Sequence, residues 1–554
     1  MKIRNYAYIA MFAAALGLSA CDDFLDKDPR NSVAGDGDVF TDIGLLRSYV
    51  NGIYLKTHYP FQQDDGFTDA MTDNSFNQHG SADNTVRTYL QGNVNKDNGE
   101  SITNNLWNDS YAAIRSTNVF FQRTKDSELD ADDLKQLRGE NRYLRAYLYF
   151  DLMRWYGGVP LITKTYSLES SENNVPRATA NEVGAFIVSQ CDSAAAELIS
   201  IKTSGYEQGR ASIESALALK ARTLLYLASP LFTGGTVDIA KWTAARDANK
   251  AVIDLPGLNL AAGQTGYTNM FLGNNSDEVI LGRYFTRLTR HLGTGLGYIL
   301  LPAGNNGWSV TTPTQDLVDS YELTNGLLPS DPASGYDAQN PYVNRDPRFY
   351  ASILYNGAPF SGGTYDYYDV TGGDGGKDGE TGANKGNASR TGYNYRKYLA
   401  DNLGPNDNNI SPYIIFRLSE FYLNYAEAQI ALGDLGAARD AINIVRGKYN
   451  MPDVTETDAD ALTERYRRER RIEMVLEEQH FFDMRRWMIG ADLYAKPTRN
   501  VHMIKNNDGS FTYNYGLVTT KNEVRRWSDK MNWLPIPSTE INKTGGTLSQ
   551  NPLY

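Results

Sequence analysis

Residues 469–487 read ERRIEMVLEEQHFFDMRRW, a run dense in glutamate, arginine and histidine. Within it, Glu477 and His480 form a Glu-x-x-His pair, which helical bundles use in duplicate to hold a di-iron centre. The residues three places before the other histidines are Leu55, Phe76, Leu288 and Arg499, so the chain has no second pair. The di-iron interpretation therefore fails on the number of ligands.

A zinc site is not predicted either, because the H-E-x-x-H motif is absent and the only cysteines are Cys21 and Cys191. The stretch has opposite charges at helical i,i+3 and i,i+4 spacing instead. Its predicted buried stripe consists of Ile472, Val475, Leu476, Gln479 and Phe482. These patterns predict a structural helix that begins near Glu464 and continues through the stretch, with no metal and no other cofactor.

The chain is long and acidic. Its 554 residues are 41% hydrophobic and 22% charged, which is ordinary for a globular protein of one large unit or several domains. The net charge of −12 at pH 7 argues against a nucleic-acid partner, because binding to phosphates relies on a basic surface. The 37 tyrosines outnumber the 20 phenylalanines, which favours half-exposed rings with hydrogen-bonded hydroxyls.

The first residues have the pattern of an export signal. Lys2 and Arg4 precede an apolar run over residues 7–18, which is too short to span a membrane. The run closes on Leu-Ser-Ala-Cys, which resembles a lipobox, so cleavage is predicted to leave Cys21 as a lipid-modified N-terminus. The alternative is an ordinary signal peptide with Cys21 left free. Residues 1–20 are the predicted signal peptide, and residues 21–37 are interpreted as a tether.

Helical periodicity divides the rest of the chain into three regions. Residues 38–260 and 416–554 are predicted to be largely helical, and residues 261–415 to form a loop-rich lobe. Gly433 and Asp434 separate two helical faces, as in a tetratricopeptide repeat. Binding residues concentrate on loops held by a rigid scaffold, so the lobe is the predicted ligand-binding region. Its Gly-rich stretch, residues 372–387, is also open to interpretation as a partly disordered insertion.

The sequence favours a binding protein over an enzyme. The nucleophile elbow G-x-S-x-G is absent, and the Gly-rich loop lacks the spacing of a P-loop. Carboxylate pairs such as Asp64 and Asp65 are too frequent in this chain to indicate a glycosidase.

Six separated segments together resemble the SusD/RagB family of surface lipoproteins from Bacteroidetes. They are GENRYLRAYLYFDLMRWYGGVPL (139–161), LALKARTLLYLASPLF (217–232), NRDPRFYASI (344–353), FRLSEFYLNYAEAQIALGD (416–434), ERRIEMVLEEQHFFDMRRW (469–487) and NWLPIPSTEINKTGGTLSQNPLY (532–554). With the lipobox, the resemblance extends over the chain from end to end. It implies a mostly α-helical fold built on tetratricopeptide-like helix pairs, with the irregular lobe packed on one side.

The same resemblance implies a function. Family members are lipid-anchored in the outer membrane, face outward and lie over a TonB-dependent SusC-like transporter. They capture glycans, or in some branches peptides, for import, and they are not enzymes. Glycan capture is the favoured interpretation for this chain, and peptide capture is the alternative. A tetratricopeptide scaffold that binds only protein would leave the long lobe unexplained.

Tryptophans in polar loops are the first candidates for glycan contact, because sugar rings expose apolar C–H faces edged by hydroxyls. Trp308 lies in the loop AGNNGWSVTTP beside Asn305 and Asn306, and it is the first candidate. The tryptophans in helical patterns are predicted core residues: Trp107, Trp155, Trp242 and Trp487.

Tyr284 is the second candidate. It lies in GRYFTRLTRH with Arg283 and Arg287, and its alternative role is that of a strand residue packed inward.

Two further groups are candidates, the first because the resemblance implies that this region reaches the ligand site and the second because it flanks the Gly-rich loop. The N-terminal segment DDGFTDAMTDNSFNQHG offers Asp73, Asn74 and His79. Tyrosines beside the Gly-rich loop are predicted to close over a bound chain or to contact the transporter: Tyr365, Tyr367, Tyr368, Tyr393 and Tyr395.

Overall fold

A computed structural model describes residues 38–59, 67–79, 85–103, 105–167, 174–286, 295–401, 403–404, 409–520 and 523–554 of the protein. The predicted signal peptide, the tether with Cys21, and Arg287 lie outside these residues. Within the described ranges, no helix combines the length and the apolar character needed to cross a membrane.

The described chain is mostly α-helical, as predicted. The helices are α1 Ile43–Tyr54, α2 Thr85–Leu90, α3 Gly99–Ile102, α4 Leu106–Arg123, α5 Ala131–Tyr156, α6 Ala180–Glu197, α7 Ile213–Ala228, α8 Pro230–Thr233, α9 Ile239–Ile253, α10 Gly263–Phe271, α11 Gly295–Leu300, α12 Gln315–Ser320, α13 Pro347–Ser352, α14 Leu418–Leu432, α15 Leu435–Gly447, α16 Ala459–Glu473, α17 Gln479–Arg486, α18 Gly490–Tyr494 and α19 Ser538–Lys543.

The longer helices pack on one another in a continuous stack. Helix α4 packs on α5, α5 on α6, α6 on α7, α7 on α9, α9 on α14, and α14 on both α15 and α16. The chain turns between α14 and α15 at Gly433, whose φ of 84° is left-handed, and Asp434 caps α15 by accepting a hydrogen bond from Ala437 N. The predicted helix-turn-helix is therefore confirmed. The tryptophans predicted to be core residues are buried: Trp107, Trp155, Trp242 and Trp487.

The strands form five short antiparallel pairs among the described residues, and three of these pairs join distant parts of the chain. The strands are β1 Ser75–Asn77, β2 Val279–Arg283, β3 Thr311–Pro313, β4 Ile353–Leu354, β5 Pro359–Phe360, β6 Gly363–Thr364, β7 Asn394–Tyr395, β8 Tyr413–Arg417, β9 Arg499–Lys505 and β10 Phe511–Leu517. They pair as β1–β3, β2–β8, β4–β7, β5–β6 and β9–β10. The β1–β3 pair holds the N-terminal segment against the loop-rich lobe. Strand β8 runs directly into α14, so the β2–β8 pair joins the lobe to the helical stack.

Two large hydrophobic cores account for most of the buried side chains. The first lies among the N-terminal helices and includes the fully buried Trp155, with Phe481 and Ile536 contributed from the C-terminal region. The second lies in the lobe and against α14–α16, and it contains many tyrosines, including Tyr365 and Tyr393. The loop-rich lobe is therefore packed around its own core although it contains little regular structure.

The stretch 469–487 does not form the single helix that its spacing predicts. Helix α16 ends at Glu473, and α17 begins at Gln479 after a turn in which Leu476 and Glu478 have left-handed φ values of 60° and 63°. The carbonyl of Glu473 lies at the end of α16, where helical carbonyls have no partner within the helix. It accepts hydrogen bonds from Arg417 at 2.7 Å and from the Tyr267 hydroxyl at 2.9 Å. Hydrogen bonds from residues distant in the sequence thus stabilise the end of α16 at a point where the spacing of charged and apolar residues predicts that the helix continues.

His480 has a structural position, in agreement with the sequence interpretation. Its ring is buried, and Nε2 lies 2.7 Å from Asp73 Oδ1. Among the described residues, no group of histidine, cysteine and carboxylate side chains has an arrangement suited to a metal ion.

The acidic and basic residues of this stretch form buried ion pairs with distant segments. Arg417 in β8 contacts Glu278 at 2.8 Å, Glu473 at 2.6 Å and Glu477 at 2.8 Å. All of these side chains are buried. Helical i,i+3 spacing pairs Glu464 with Arg467 and Asp483 with Arg486, whereas Glu473 and Glu477 pair with Arg417 from a distant strand.

Two further arginines extend this arrangement into the lobe. Arg348 in α13 contacts Glu469 at 2.5 Å and Glu473 at 2.8 Å, and Arg446 contacts Glu469 at 2.7 Å and Glu322 at 3.0 Å. We call this set the Arg–Glu network: Arg348, Arg417, Arg446, Glu278, Glu322, Glu469, Glu473 and Glu477. Burial raises the pKa of Glu469, but Arg348 and Arg446 outweigh burial and lower that pKa from 4.5 to about 2.

Glu469→Gln is expected to lower the free energy of unfolding by about 3 to 5 kcal/mol at pH 7, because it leaves two buried arginines short of a carboxylate. The folded-state pKa of Glu469 lies below its ordinary value of 4.5, so its stabilisation is complete above that pH and is lost as the pH falls toward about 2. The difference between parent and variant should shrink over this range. Urea titrations at a series of pH values measure the difference in the free energy of unfolding between parent and variant.

Glu464→Gln is the matched control, because Glu464 lies in the same helix with a side chain that is 70% exposed and paired only with Arg467. Its effect should stay below about 1 kcal/mol. A loss of stability in Glu469→Gln that does not change between pH 7 and pH 2 would contradict the role given to this carboxylate.

Candidate ligand-binding surface

Trp308 lies in the loop between α11 and β3, and its ring faces outward with 40% of the residue exposed. The Tyr298 ring lies beside it, with the ring centroids 4.6 Å apart and the planes tilted by 50°. The loop folds back on itself, because Trp308 N donates to Tyr298 O at 3.0 Å and Asn306 has a left-handed φ of 60°. Asn306 is also exposed. The loop thus carries a partly exposed aromatic pair and an exposed asparagine two residues before Trp308.

Gly307 fixes the path of this loop. A Cβ atom at position 307 would lie only 2.0 Å from Leu301 O, so no other residue fits without a shift of the backbone. The position of Trp308 therefore depends on the close contact between Gly307 and Leu301.

The N-terminal segment supports Trp308 from one side. Pairing of β1 with β3 places Phe76 opposite Thr312 and brings the residues after β1 to the loop. Gln78 Nε2 donates to Trp308 O at 2.9 Å, and His79 Nε2 lies 2.6 Å from the same oxygen. Burial lowers the pKa of His79, which favours the neutral imidazole that donates one N–H.

The Gly-rich stretch supports the loop from another side. Asp378 Oδ1 accepts a hydrogen bond from Gly304 N at 2.7 Å, and Asn384 Nδ2 donates to Ala303 O at 2.9 Å. Gln78 Nε2 also reaches Asn387 O at 3.1 Å. Residues 372–387 are thus packed against neighbouring segments. We define the Trp308 surface as residues 78–79, 298, 303–308 and 384–387.

Asp73 and Asn74, expected at the ligand site, lie in the interior instead. Asp73 pairs with Arg471 at 2.8 Å and with His480, and Asn74 is fully buried and donates to Asp69 Oδ1 at 2.9 Å. Burial raises the pKa of Asp73, but Arg471 and His480 outweigh it and hold that pKa below its ordinary range. Both side chains have partners in α16, in α17 or in their own segment, and their contact with a ligand stays a prediction.

The tyrosines beside the Gly-rich loop are also not at an exposed surface. Tyr365 and Tyr393 are fully buried, and their hydroxyls donate to Asn394 Oδ1 at 3.0 Å and Gln315 Oε1 at 2.8 Å. The other members, Tyr367 and Tyr395, are buried, and Tyr368 is half-buried. These rings belong to the second core or pack against it, and their contact with a bound chain or with the transporter stays a prediction.

Tyr284 and Arg283 are not brought together with Trp308. They line a separate cavity of about 380 Å³ between the N-terminal helices and β2, together with Tyr54, Tyr147 and Arg210. Of the predicted candidates, Trp308, Asn306 and His79 meet at one surface. The sequence interpretation missed Tyr298 and Gln78, which join this surface through the turn after α11 and through the β1–β3 pairing.

Comparison with known proteins identifies the class to which this fold and surface belong. Residues 264–554 match the family model described as the SusD family, and residues 23–226 match a model described as "Starch-binding associating with outer membrane". Since the first match covers more than half of the chain, the protein belongs to the SusD family.

Individual relatives resemble nearly the whole chain. SusD-like protein P38 from Formosa agariphila is 25% identical over 515 residues, which are 87% of this chain and 91% of that protein. The crystal structure of a SusD-like protein from Bacteroides fragilis NCTC 9343 superposes with a TM-score of 0.78 at 27% identity, covering 95% of this chain and 100% of the other. A SusD-like carbohydrate binding protein from the same strain gives a TM-score of 0.75 at 26% identity, covering 91% and 98%.

Gly307→Ala is expected to lower the free energy of unfolding by about 1 to 3 kcal/mol and to move Trp308, because the added methyl group overlaps Leu301 O. Urea denaturation measures the first effect, and the quenching of Trp308 fluorescence by acrylamide, compared with a Trp308→Phe background, measures the second. Gly386→Ala is the control, since a Cβ atom there meets nothing within 4 Å. Equal behaviour of the two variants would show that the loop does not need Gly307.

Proposed function

We propose that this protein is a cell-surface glycan-binding lipoprotein that captures an oligosaccharide or polysaccharide on the Trp308 surface. The observation that carries the proposal is the Trp308 ring, which is 40% exposed in a loop held by hydrogen bonds from two other segments. A fixed, exposed ring binds the apolar face of a sugar at little entropic cost, and the neighbouring amides can bond its hydroxyls.

The comparisons support carbohydrate as the ligand class. The family model that matches residues 23–226 is described as starch-binding, and one structural relative is titled a carbohydrate binding protein. We propose that residues 261–415 are the ligand-binding lobe, and that residues 38–260 and 416–554 are its helical frame. In this proposal the protein binds its ligand without catalysis.

We further propose that the protein is anchored in the outer membrane by a lipid on Cys21, faces outward and delivers its ligand to a TonB-dependent SusC-like transporter. The export signal and the lipobox-like residues before Cys21 support the anchor. The description of the matching family model as associating with the outer membrane supports the location.

Trp308→Ala is expected to weaken glycan binding about thirtyfold, because truncation of an anchoring tryptophan costs about 2 kcal/mol or more. Retention on an array of polysaccharides identifies the ligand, and titration of that glycan measures the loss. The melting temperature should change little, since the ring is partly exposed and outside the two cores.

Met488→Ala is the control for this variant, because Met488 is another large apolar residue with 49% exposure. Unchanged binding of every glycan by Trp308→Ala would remove Trp308 from the site. A parent protein that binds no glycan but binds peptides would replace the proposal by peptide capture.

Replacing Cys21 by Ala is expected to release the protein from the membrane fraction, because the thiol that would carry the lipid is lost. Cell fractionation followed by immunoblotting measures the distribution of parent and variant. Persistence of the variant in the membrane fraction, after a wash at high salt, would contradict anchoring through Cys21.

A further inference from the structure

The cavity that contains Arg283 and Tyr284 is separate from the Trp308 surface and has a different chemical character. Its volume of about 380 Å³ falls in the range of small-molecule sites. Its lining includes the tyrosines Tyr54, Tyr147 and Tyr284, and the arginines Arg210 and Arg283. We call it the Arg283 cavity.

Tyr284 lies at the boundary between this cavity and a neighbouring one. The second cavity has a volume of about 500 Å³ and shares Gln208, Gly209 and Tyr284 with the first. Gly209 and Gly282 allow the close approach of the Tyr284 ring, since a Cβ atom at either position would lie 3.2 to 3.3 Å from it. A ligand longer than one ring therefore has room on both sides of Tyr284.

The guanidinium of Arg283 is largely buried but has few hydrogen-bond and ion-pair partners among the described residues. Its Nη1 donates to Thr57 O at 3.1 Å, and its Cζ lies 4.0 Å from the centre of the Tyr59 ring. Among the described residues, no carboxylate lies within ion-pair distance of it. Burial lowers the pKa of Arg283, which is the direction expected for a cation with no anion beside it.

Other arginines near the cavity and in the cores are better satisfied. Arg210 on the cavity wall is paired with Glu140 at 2.5 Å. Arg345 likewise pairs with no carboxylate in the described chain, but it donates hydrogen bonds to three backbone carbonyls. Glu207 at the cavity rim is paired with Arg47. Arg283 is therefore the cavity residue with an uncompensated charge and spare N–H donors.

We propose that the Arg283 cavity is a second binding site, which takes a carboxylate-bearing sugar residue of an acidic glycan. A guanidinium stacked on an aromatic ring presents a planar fork of N–H groups that matches a carboxylate. The Tyr284 ring offers a face for the sugar, and Gln208 and Asn51 supply amides for its hydroxyls. This site does not depend on glycan binding by the Trp308 surface.

Tetragalacturonate and its methyl ester are suitable probes, because they share one sugar chain and differ in charge. Calorimetric titration of the full chain is expected to show at least about tenfold tighter binding of the acid than of the ester. Arg283→Gln should abolish this preference, and Arg283→Lys should retain part of it, because lysine keeps the charge without the fork. Trp308→Ala should leave the preference unchanged. Higher salt should weaken binding of the acid.

Arg246→Gln is the matched control, since Arg246 is a surface arginine paired with its neighbour Asp247. Melting curves establish whether each variant is folded. If Arg283→Gln does not fold, Arg283→Lys provides the test. The proposal is overturned if the parent binds the acid no better than the ester, or binds neither. It is also overturned if Arg283→Lys matches the parent, if the preference depends on Trp308 alone, or if tetraglutamate binds as tightly as the sugar acid.

Discussion

The side chain of Arg417 joins three parts of the chain that are far apart in sequence, and the remaining architecture is arranged around this junction. Through Glu278 it holds the start of β2, and through Glu473 and Glu477 it holds the end of α16 and the turn that follows. Removing these charges from water is costly, so their pairing gains little stability over an apolar core. Such a network penalises any other arrangement, because a shifted strand or helix would leave a buried charge without a partner.

The lobe shows how a region with little regular structure becomes a fixed body. Arg348 attaches it to α16 through Glu469, and Glu322 attaches it to α15 through Arg446. Its interior contains tyrosines such as Tyr365 and Tyr393, whose hydroxyls donate to side chains of the lobe itself. Burial in such positions accounts for many of the tyrosines of the chain. Tyrosine suits an irregular core, because its ring fills space while its hydroxyl satisfies a polar group that no helix or sheet would satisfy.

Local patterns in the sequence were sufficient to predict the helical frame and the loop position of Trp308. They were not sufficient to predict which residues surround Trp308. Periodicity and the Gly433–Asp434 pair predicted α14 and α15, and a polar loop setting was enough to separate Trp308 from the core tryptophans. The break after Glu473 was not predictable, because the Glu473 carbonyl bonds to the Tyr267 hydroxyl across 206 positions and no local spacing records such a contact. The same reason explains why the burial of Asp73 was not predicted, since its partner His480 is 407 positions away.

The hydrogen bond from Gln78 to the carbonyl of Trp308 spans 230 positions of the chain, and this has a consequence for how the protein becomes functional. Contacts between such distant residues form slowly, since much of the intervening chain must first collapse and order. A chain whose N-terminal segment is not docked on the lobe would present Trp308 without this support. A ligand that prefers the finished surface therefore binds the docked state, and it would protect the whole chain against unfolding.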